Sequence, residues 1–145
     1  MKTRLFHTCS LLLFALLVTA CGGRAAASDG SPVEDLAGLD EALRDAGATV
    51  EMGEPVEQAF FAVPGQILRV NGADVQVYEY ETAEAMEADA ALVAPDGGSV
   101  GTSMVTWVAA PHFYKSGRIL VLYVGEDGAV IELLERLLGS QFAGR

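Results

Sequence analysis

The amino-acid sequence predicts an α+β domain with an antiparallel-rich, four-stranded sheet, helices on one face of that sheet and an additional N-terminal helix. Two observations lead to this prediction. Residues 66–80 form two β-prone runs on either side of Asn71-Gly72, a pair that favours a type I′ hairpin turn. Residues 119–124 are apolar without alternation, which indicates a central strand that is buried on both faces.

The first elements of the domain are a helix and a short strand. Ser31 suits the N-cap of a helix and Pro32 its first position, while Gly47 is typical of a helix end. An apolar stripe lies between these signals, at Leu36, Leu39 and Leu43. Residues 49–52 read as a strand. Residues 53–65 remain an apolar loop or an edge strand, because prolines interrupt them.

The later elements repeat one pattern. In the hairpin register, Leu68 faces Val75 on the apolar side and Arg69 faces Asp74 on the polar side. A helix capped by Thr82 is predicted next. Strands then follow at 104–109 and 118–124, and a third helix at 127–138.

The order from residue 66 is therefore ββαββα. It predicts a sheet in the order 66–70, 73–80, 118–124, 104–109, with the helices from 83 and 128 on one face. With strands 73–80 and 118–124 parallel in the middle, this arrangement resembles a circularly permuted ferredoxin-like sheet. A fold shared by so many proteins does not specify function.

Residues 1–20 have the three zones of a secretory signal peptide. Lys2 and Arg4 precede an apolar stretch at 11–18, and small residues follow it. A transmembrane helix needs about 20 apolar residues, roughly twice the length of this stretch. We therefore expect residues 1–20 to be removed on export.

Residues 17–21, Leu-Val-Thr-Ala-Cys, resemble the lipobox of bacterial lipoproteins. The resemblance implies cleavage before Cys21, a lipid on its thiol and an acylated N-terminus, so that the membrane is a partner through Cys21. A secretory signal followed by an unrelated cysteine is the alternative. Gly22 occupies the position at which an aspartate commonly means retention at the inner membrane in diderm lipoproteins, so the resemblance implies sorting to an outer membrane if there is one and to the cytoplasmic membrane otherwise. Residues 22–30 are small and polar, which predicts a flexible tether of about 17 Å before one domain at 31–145.

The exported part is also similar to small bacterial lipoproteins of unknown function. The similarity lies in the runs at 75–80, 103–108 and 111–114. These runs are apolar or aromatic, so packing alone could explain them. The resemblance implies no activity.

Composition excludes several classes of function. Without residues 1–20 the chain has seven basic and twenty acidic residues, a charge of −13, which disfavours nucleic acid and anionic headgroups as partners. Because Cys9 leaves with the signal and Cys21 takes lipid, no disulfide can form within one mature chain. The lipid must therefore supply the membrane binding, and the core must supply the stability.

The residues contain no clear catalytic or metal-binding pattern. His112 is the one histidine after the signal, which excludes a two-histidine zinc site and a Cys/His nucleophile. The glycine-rich run at 97–103 precedes a predicted strand, whereas a phosphate loop opens a helix. A Ser/His/Asp triad and a carboxylate pair for glycoside hydrolysis remain formal alternatives. We predict no cofactor, no metal and no catalytic residue.

One group of residues is the predicted ligand or partner site. It combines aromatic and basic side chains in an otherwise acidic chain, at Trp107, His112, Phe113, Tyr114, Lys115 and Arg118. Such a hairpin could recognise an anionic or aromatic ligand, or a partner protein. In the alternative, the aromatic side chains belong to the core and the cations are solvated turn residues. The sequence thus favours a lipid-anchored binding module of the cell envelope over an envelope hydrolase or a purely structural protein.

Overall fold

The structure, a computed structural model, describes residues 32–145, so the predicted signal at 1–20, Cys21, the predicted tether and Ser31 lie outside the described part. This part is an α+β domain with three helices, α1 (Leu36–Asp45), α2 (Ala83–Ala90) and α3 (Gly128–Leu138). Its strands are β1 (Val50–Val56), β2 (Gly65–Val70), β3 (Ala73–Glu79), β4 (Ser99–Val100), β5 (Ser103–Met104), β6 (Pro111–Ser116), β7 (Ile119–Val124) and β8 (Ala143–Gly144). Six strands form one antiparallel sheet in the order β1-β2-β3-β7-β6-β8, and β4 pairs with β5.

The β2–β3 hairpin confirms the predicted register. Leu68 lies opposite Val75 and Arg69 opposite Asp74. Asn71 has a φ of 51° and the following glycine one of 88°, so both turn residues adopt the positive φ that a type I′ turn requires. The Asn-Gly pair therefore determines where the chain reverses.

Strand β7 confirms the prediction of a central strand, because it pairs with β3 on one side and β6 on the other. Its alternate side chains contribute to two separate hydrophobic cores. Val121 packs with α1 and α3, whereas Leu120 and Leu122 pack with α2. This double burial explains the apolar run at 119–124.

Two predictions about the sheet are wrong: that it has four strands, and that residues 104–109 form one of them. Six strands form the main sheet, because β1 and β8 extend the four central strands. The hairpin partner of β7 is β6 (111–116) and not a strand at 104–109, and Ser116 pairs with Ile119 across a tight turn in which Gly117 has a φ of 52°. Residues 104–109 lie outside the main sheet, since only Met104 among them belongs to a strand, the two-residue β5.

The prediction that the helices from 83 and 128 lie on one face of the sheet is wrong, because α2 and α3 lie on opposite faces. Met86 and Ala90 of α2 belong to one core, whereas Leu133 and Leu134 of α3 belong to the other. A sheet whose central strand is apolar on both sides needs cover on both sides, and this need separates the two helices. The ferredoxin-like expectation is wrong as well, because β3 and β7 are antiparallel.

The first helix begins later than predicted. Asp35, rather than Ser31, is the N-cap of α1, and its side chain accepts a hydrogen bond from the N–H of Gly38 at 2.9 Å. The preceding carbonyl groups of Val33 and Glu34 accept hydrogen bonds from the β6–β7 turn, which keeps these residues out of the helix. The predicted cap of α2 is confirmed, because the Thr82 side chain accepts from the N–H of Ala85.

Both edges of the main sheet are short or irregular. In β1 the pairing with β2 shifts register between Met52 and Pro55. At the other edge, β8 pairs only through two residues, with His112 and Phe113 of β6. Bulges, prolines and very short strands hinder the addition of a foreign strand to a sheet edge.

Candidate functional site

The structure does not bring the six predicted site residues together on one surface. Residues 112–115 belong to β6, in which successive side chains point to opposite faces of the sheet. Phe113 packs in the core under α2, while Tyr114 packs in the core under α1 and α3, and both are 0% exposed. Neither ring is therefore available to a ligand.

His112 is a buried link between three segments. Its ring stacks on that of Tyr123, with centroids 5.9 Å apart. Nε2 lies 3.1 Å from the carbonyl oxygen of Gly125, and Nδ1 lies 2.7 Å from Oε1 of Gln141. His112 thus joins β6 to the β7–α3 connection and to the C-terminal segment.

The two predicted cations are both engaged by the chain itself. Lys115 forms an ion pair with Glu87 of α2, and its Nζ lies 5.3 Å from the centroid of the Phe142 ring. Arg118 donates to the carbonyl oxygen of Tyr80 at 3.0 Å and forms ion pairs with Asp35 and Glu79. These contacts hold α2 and the start of α1 against the sheet.

Trp107 fixes an irregular connection to the core. Its Nε1 donates to the carbonyl oxygen of Gly97 at 2.7 Å. Its ring makes edge-to-face contacts with Phe60 and Phe113, at centroid distances of 6.3 and 5.9 Å. The indole therefore joins this connection to Gly97 and to Phe113 of β6.

We call residues 99–110 the tip segment. It begins with the β4–β5 pair, in which Ser99 lies opposite Met104. A bridge between Val93 and Val100 and a hydrogen bond from the N–H of Gly101 to the carbonyl oxygen of Leu92 join it to the end of α2. The tip segment is thus attached to the residues that follow α2 by backbone hydrogen bonds.

Two apolar side chains of the tip segment are almost fully exposed to solvent. Met104 is 92% exposed and Val108 is 99% exposed, and they flank the anchored Trp107. The half-exposed Leu92 adjoins the same segment through its hydrogen bond with Gly101. A contiguous exposed apolar patch is typical of a contact surface, and Met104, Val108 and Leu92 are the candidate members of such a patch.

The sequence alone did not identify these side chains as a contact surface, although the absence of charged residues around them is a signal. From Gly97 to Tyr114 the chain contains no Asp, Glu, Lys or Arg, in a protein of which 20% of residues are charged. Interfaces are depleted of charge at their centres. The tip segment, which contains exposed Met104 and Val108 of this uncharged run, is therefore the candidate docking surface.

Burial shifts the pKa of three tyrosines without creating a reactive group. It raises the pKa of Tyr78 and Tyr80 above their usual range, and it raises the pKa of Tyr114 to about 12. Nearby Asp89 adds to the effect on Tyr80, and Glu135 adds to that on Tyr114. Neutral, buried phenols of this kind contribute to packing.

Residues 32–145 contain no cluster of three His, Cys, Asp or Glu side chains that could hold a metal ion. In the same residues, no helix combines the length and the apolarity needed to cross a bilayer. Comparison of the chain with protein-family models, curated proteins and solved structures gives no significant match. Its function is therefore inferred from its own residues.

Proposed function

We propose that this protein is a lipid-anchored, extracytoplasmic interaction module that docks a partner protein through the tip segment. The observation that carries the proposal is the exposure of Met104 and Val108 on a segment that Trp107 fixes to the core. A partner that covers these side chains removes apolar surface from water, and full burial of one such side chain contributes about 1.5–3 kcal/mol.

The charge distribution supports the same surface. Docking elsewhere would cover some of the carboxylates that give the exported chain its charge of −13, and each buried charge without a partner is costly. The tip segment has no charged side chain, so contact there avoids that cost. The pre-ordered Trp107 support also lowers the entropy lost on binding.

The geometry disfavours a different mode of binding, in which a partner strand extends the sheet. The register shift in β1, its Pro55 and the two-residue length of β8 leave little regular edge within residues 32–145. We therefore expect a protein partner to bind through side-chain contacts at the tip segment and not by adding a strand to the sheet.

The lipid anchor is supported by residues 17–21, which resemble a lipobox, and by the small, polar residues 22–30. Acyl chains contribute about 0.8 kcal/mol for each buried methylene, which outweighs the repulsion between an acidic protein and an anionic leaflet. Cys21→Ser should move the protein from the membrane fraction to the soluble fraction. Retention of the variant in the membrane pellet would contradict the anchor.

The docking surface is tested with the double variant Met104→Ser/Val108→Ser. Crosslinking in intact cells, followed by mass spectrometry of the captured proteins, should lose a partner that the wild type captures. Met52→Ser is the matched control, because Met52 is a 61% exposed methionine on β1, far from the tip segment in the sheet order. An unchanged set of captured proteins, with unchanged melting, would remove the tip segment as the docking surface.

A further inference from the structure

The start of the domain is attached firmly to one end of the sheet, at the β6–β7 turn. The Oγ of Ser116 donates to the carbonyl oxygen of Val33 at 2.6 Å, and the N–H of Arg118 donates to that of Glu34 at 2.9 Å. Val33 itself is buried. A Cβ on Gly117 would overlap the Cα and carbonyl oxygen of Glu34, so the two segments are in close contact.

The tip segment ends at the opposite end of the same strand. Ala110 directly precedes β6, and its carbonyl oxygen accepts a hydrogen bond from the N–H of Gly125, just beyond the end of β7. Six residues of strand rise by about 3.3 Å each, so the attachment point and Ala110 are roughly 17–20 Å apart. The chain therefore enters the domain at one end and exposes Val108 near the other.

The end at which the chain enters is acidic. Tyr80 donates its N–H to the carbonyl oxygen of Arg118 at that end, and exposed Glu81 and Glu84 follow directly. Exposed Glu34 lies there as well, while the ion pairs with Asp35 and Glu79 engage the charge of Arg118. Arg118, the cation at this end, is thus matched by carboxylates and does not attract an anionic leaflet.

We infer that the tip segment faces away from the membrane that anchors the chain, and that it docks a protein with an apolar depression and a basic rim. This inference rests on the proposed lipid anchor. The basic rim follows from charge complementarity, because exposed carboxylates surround the tip segment. Glu126 and Asp127 directly follow Gly125, which is hydrogen-bonded to Ala110, and exposed Asp96 lies three residues before the segment begins. The bilayer is the alternative occupant, and the experiments below decide between the two.

The orientation is tested with the lipidated protein in vesicles of phosphatidylethanolamine and phosphatidylglycerol that contain some rhodamine-labelled lipid. A donor dye is attached at Val108→Cys in one sample and at Glu81→Cys in another. Energy transfer to the lipid should be weaker from position 108. Equal transfer, or stronger transfer from 108, would overturn the inference. Mass spectrometry of the N-terminal peptide reports separately whether Cys21 carries lipid, so failure of the anchor is distinguishable.

The partner's chemistry is tested by photocrosslinking from position 108 in intact cells. The double variant Glu126→Gln/Asp127→Asn should lower the capture of the main partner several-fold, and Asn preserves the cap that Asp127 provides for α3. Glu81→Gln/Glu84→Gln, at the other end, is the matched control and should leave capture unchanged. Equal capture by both double variants, or crosslinks to lipid alone, would contradict a basic protein partner.

Discussion

Tyr80 and Asp89 form the polar contact that joins the end of β3 to α2. The hydroxyl of Tyr80 donates to Oδ2 of Asp89 at 2.9 Å, and the same oxygen accepts the N–H of Ala62 at 2.7 Å. One carboxylate therefore holds the strand, the helix and the loop that carries the buried Phe61. Removal of either donor should weaken this core.

Tyr80→Phe should lower the free energy of unfolding by about 1–2 kcal/mol, because a hydrogen bond to a charged group is lost from a partly buried site. Urea unfolding at neutral pH measures the change. An unchanged stability would show that water replaces the hydroxyl without loss.

Tyr114→Phe should have the opposite effect. The Tyr114 hydroxyl is buried and, within residues 32–145, has no hydrogen-bond partner. Its removal relieves an uncompensated desolvation and should raise the free energy of unfolding by about 1 kcal/mol. The same urea experiment, run beside Tyr80→Phe, separates the effect of the hydroxyl from that of the ring. A loss of stability as large as that of Tyr80→Phe would contradict this account.

The raised pKa of Tyr114 also predicts a response to alkali. Burial, followed by the charge of Glu135, raises this pKa from 10.0 to about 12, so the folded state retains a proton that the unfolded state loses. The contribution of this pKa difference to the stability of the wild type is complete below about pH 10 and is lost as the pH rises through about 12. The advantage of Tyr114→Phe over wild type should therefore grow between pH 9 and pH 11, by about 1 kcal/mol or less, in melting experiments. A constant advantage would refute the assignment.

Asp35 predicts a response to acid. The N–H of Gly38, and then Arg118, hold the pKa of this carboxyl below its usual 3.8. A lowered pKa adds stability above about pH 4, and that stability is lost as the pH falls through the folded-state value. Asp35→Asn keeps a side chain that can cap α1 but loses the charge. The melting temperature of wild type should exceed that of the variant near pH 6 and converge with it below about pH 3.

Gly117→Ala and Gly128→Ala should change stability in opposite directions. Gly117 has a φ of 52° and lies against the backbone of Glu34, so a methyl group is strained and also displaces the start of the domain. We expect a loss of at least about 1 kcal/mol and faster proteolysis near residues 33–35. At Gly128 a Cβ meets nothing within 4 Å, and alanine should stabilise α3 by about 0.4–1 kcal/mol. A loss of stability in both variants would contradict this difference in surroundings.

Local patterns predict much of this fold because they act over a few residues. The Asn71-Gly72 turn, the Thr82 cap and the apolar spacing of α3 are all confirmed. Which face of the sheet each helix covers depends on long-range packing. The apolar side chains on both faces of β7 were nevertheless a sequence signal that helices cover both faces of the sheet. Residues 104–109 resemble a strand in composition, yet the indole of Trp107 bonds to Gly97 and holds them outside the main sheet.

Strand geometry explains why the six predicted site residues do not share one surface. Neighbouring residues in a sequence suggest a cluster, but a strand separates them, as it does Phe113 and Tyr114. The charges of Lys115 and Arg118 are matched by Glu87, Asp35 and Glu79, which lie far away in the sequence. Exposure of Met104 and Val108 likewise depends on which segments cover the core, and no local pattern reports it.

The double burial of β7 couples the two halves of the molecule. Leu120 and Leu122 cannot leave the core under α2 without also displacing Val121 from the core under α1 and α3, since all three belong to one short strand. The domain should therefore unfold in a single cooperative transition. The backbone amides of β7 should be among the slowest to exchange with deuterium, at a rate set by global unfolding.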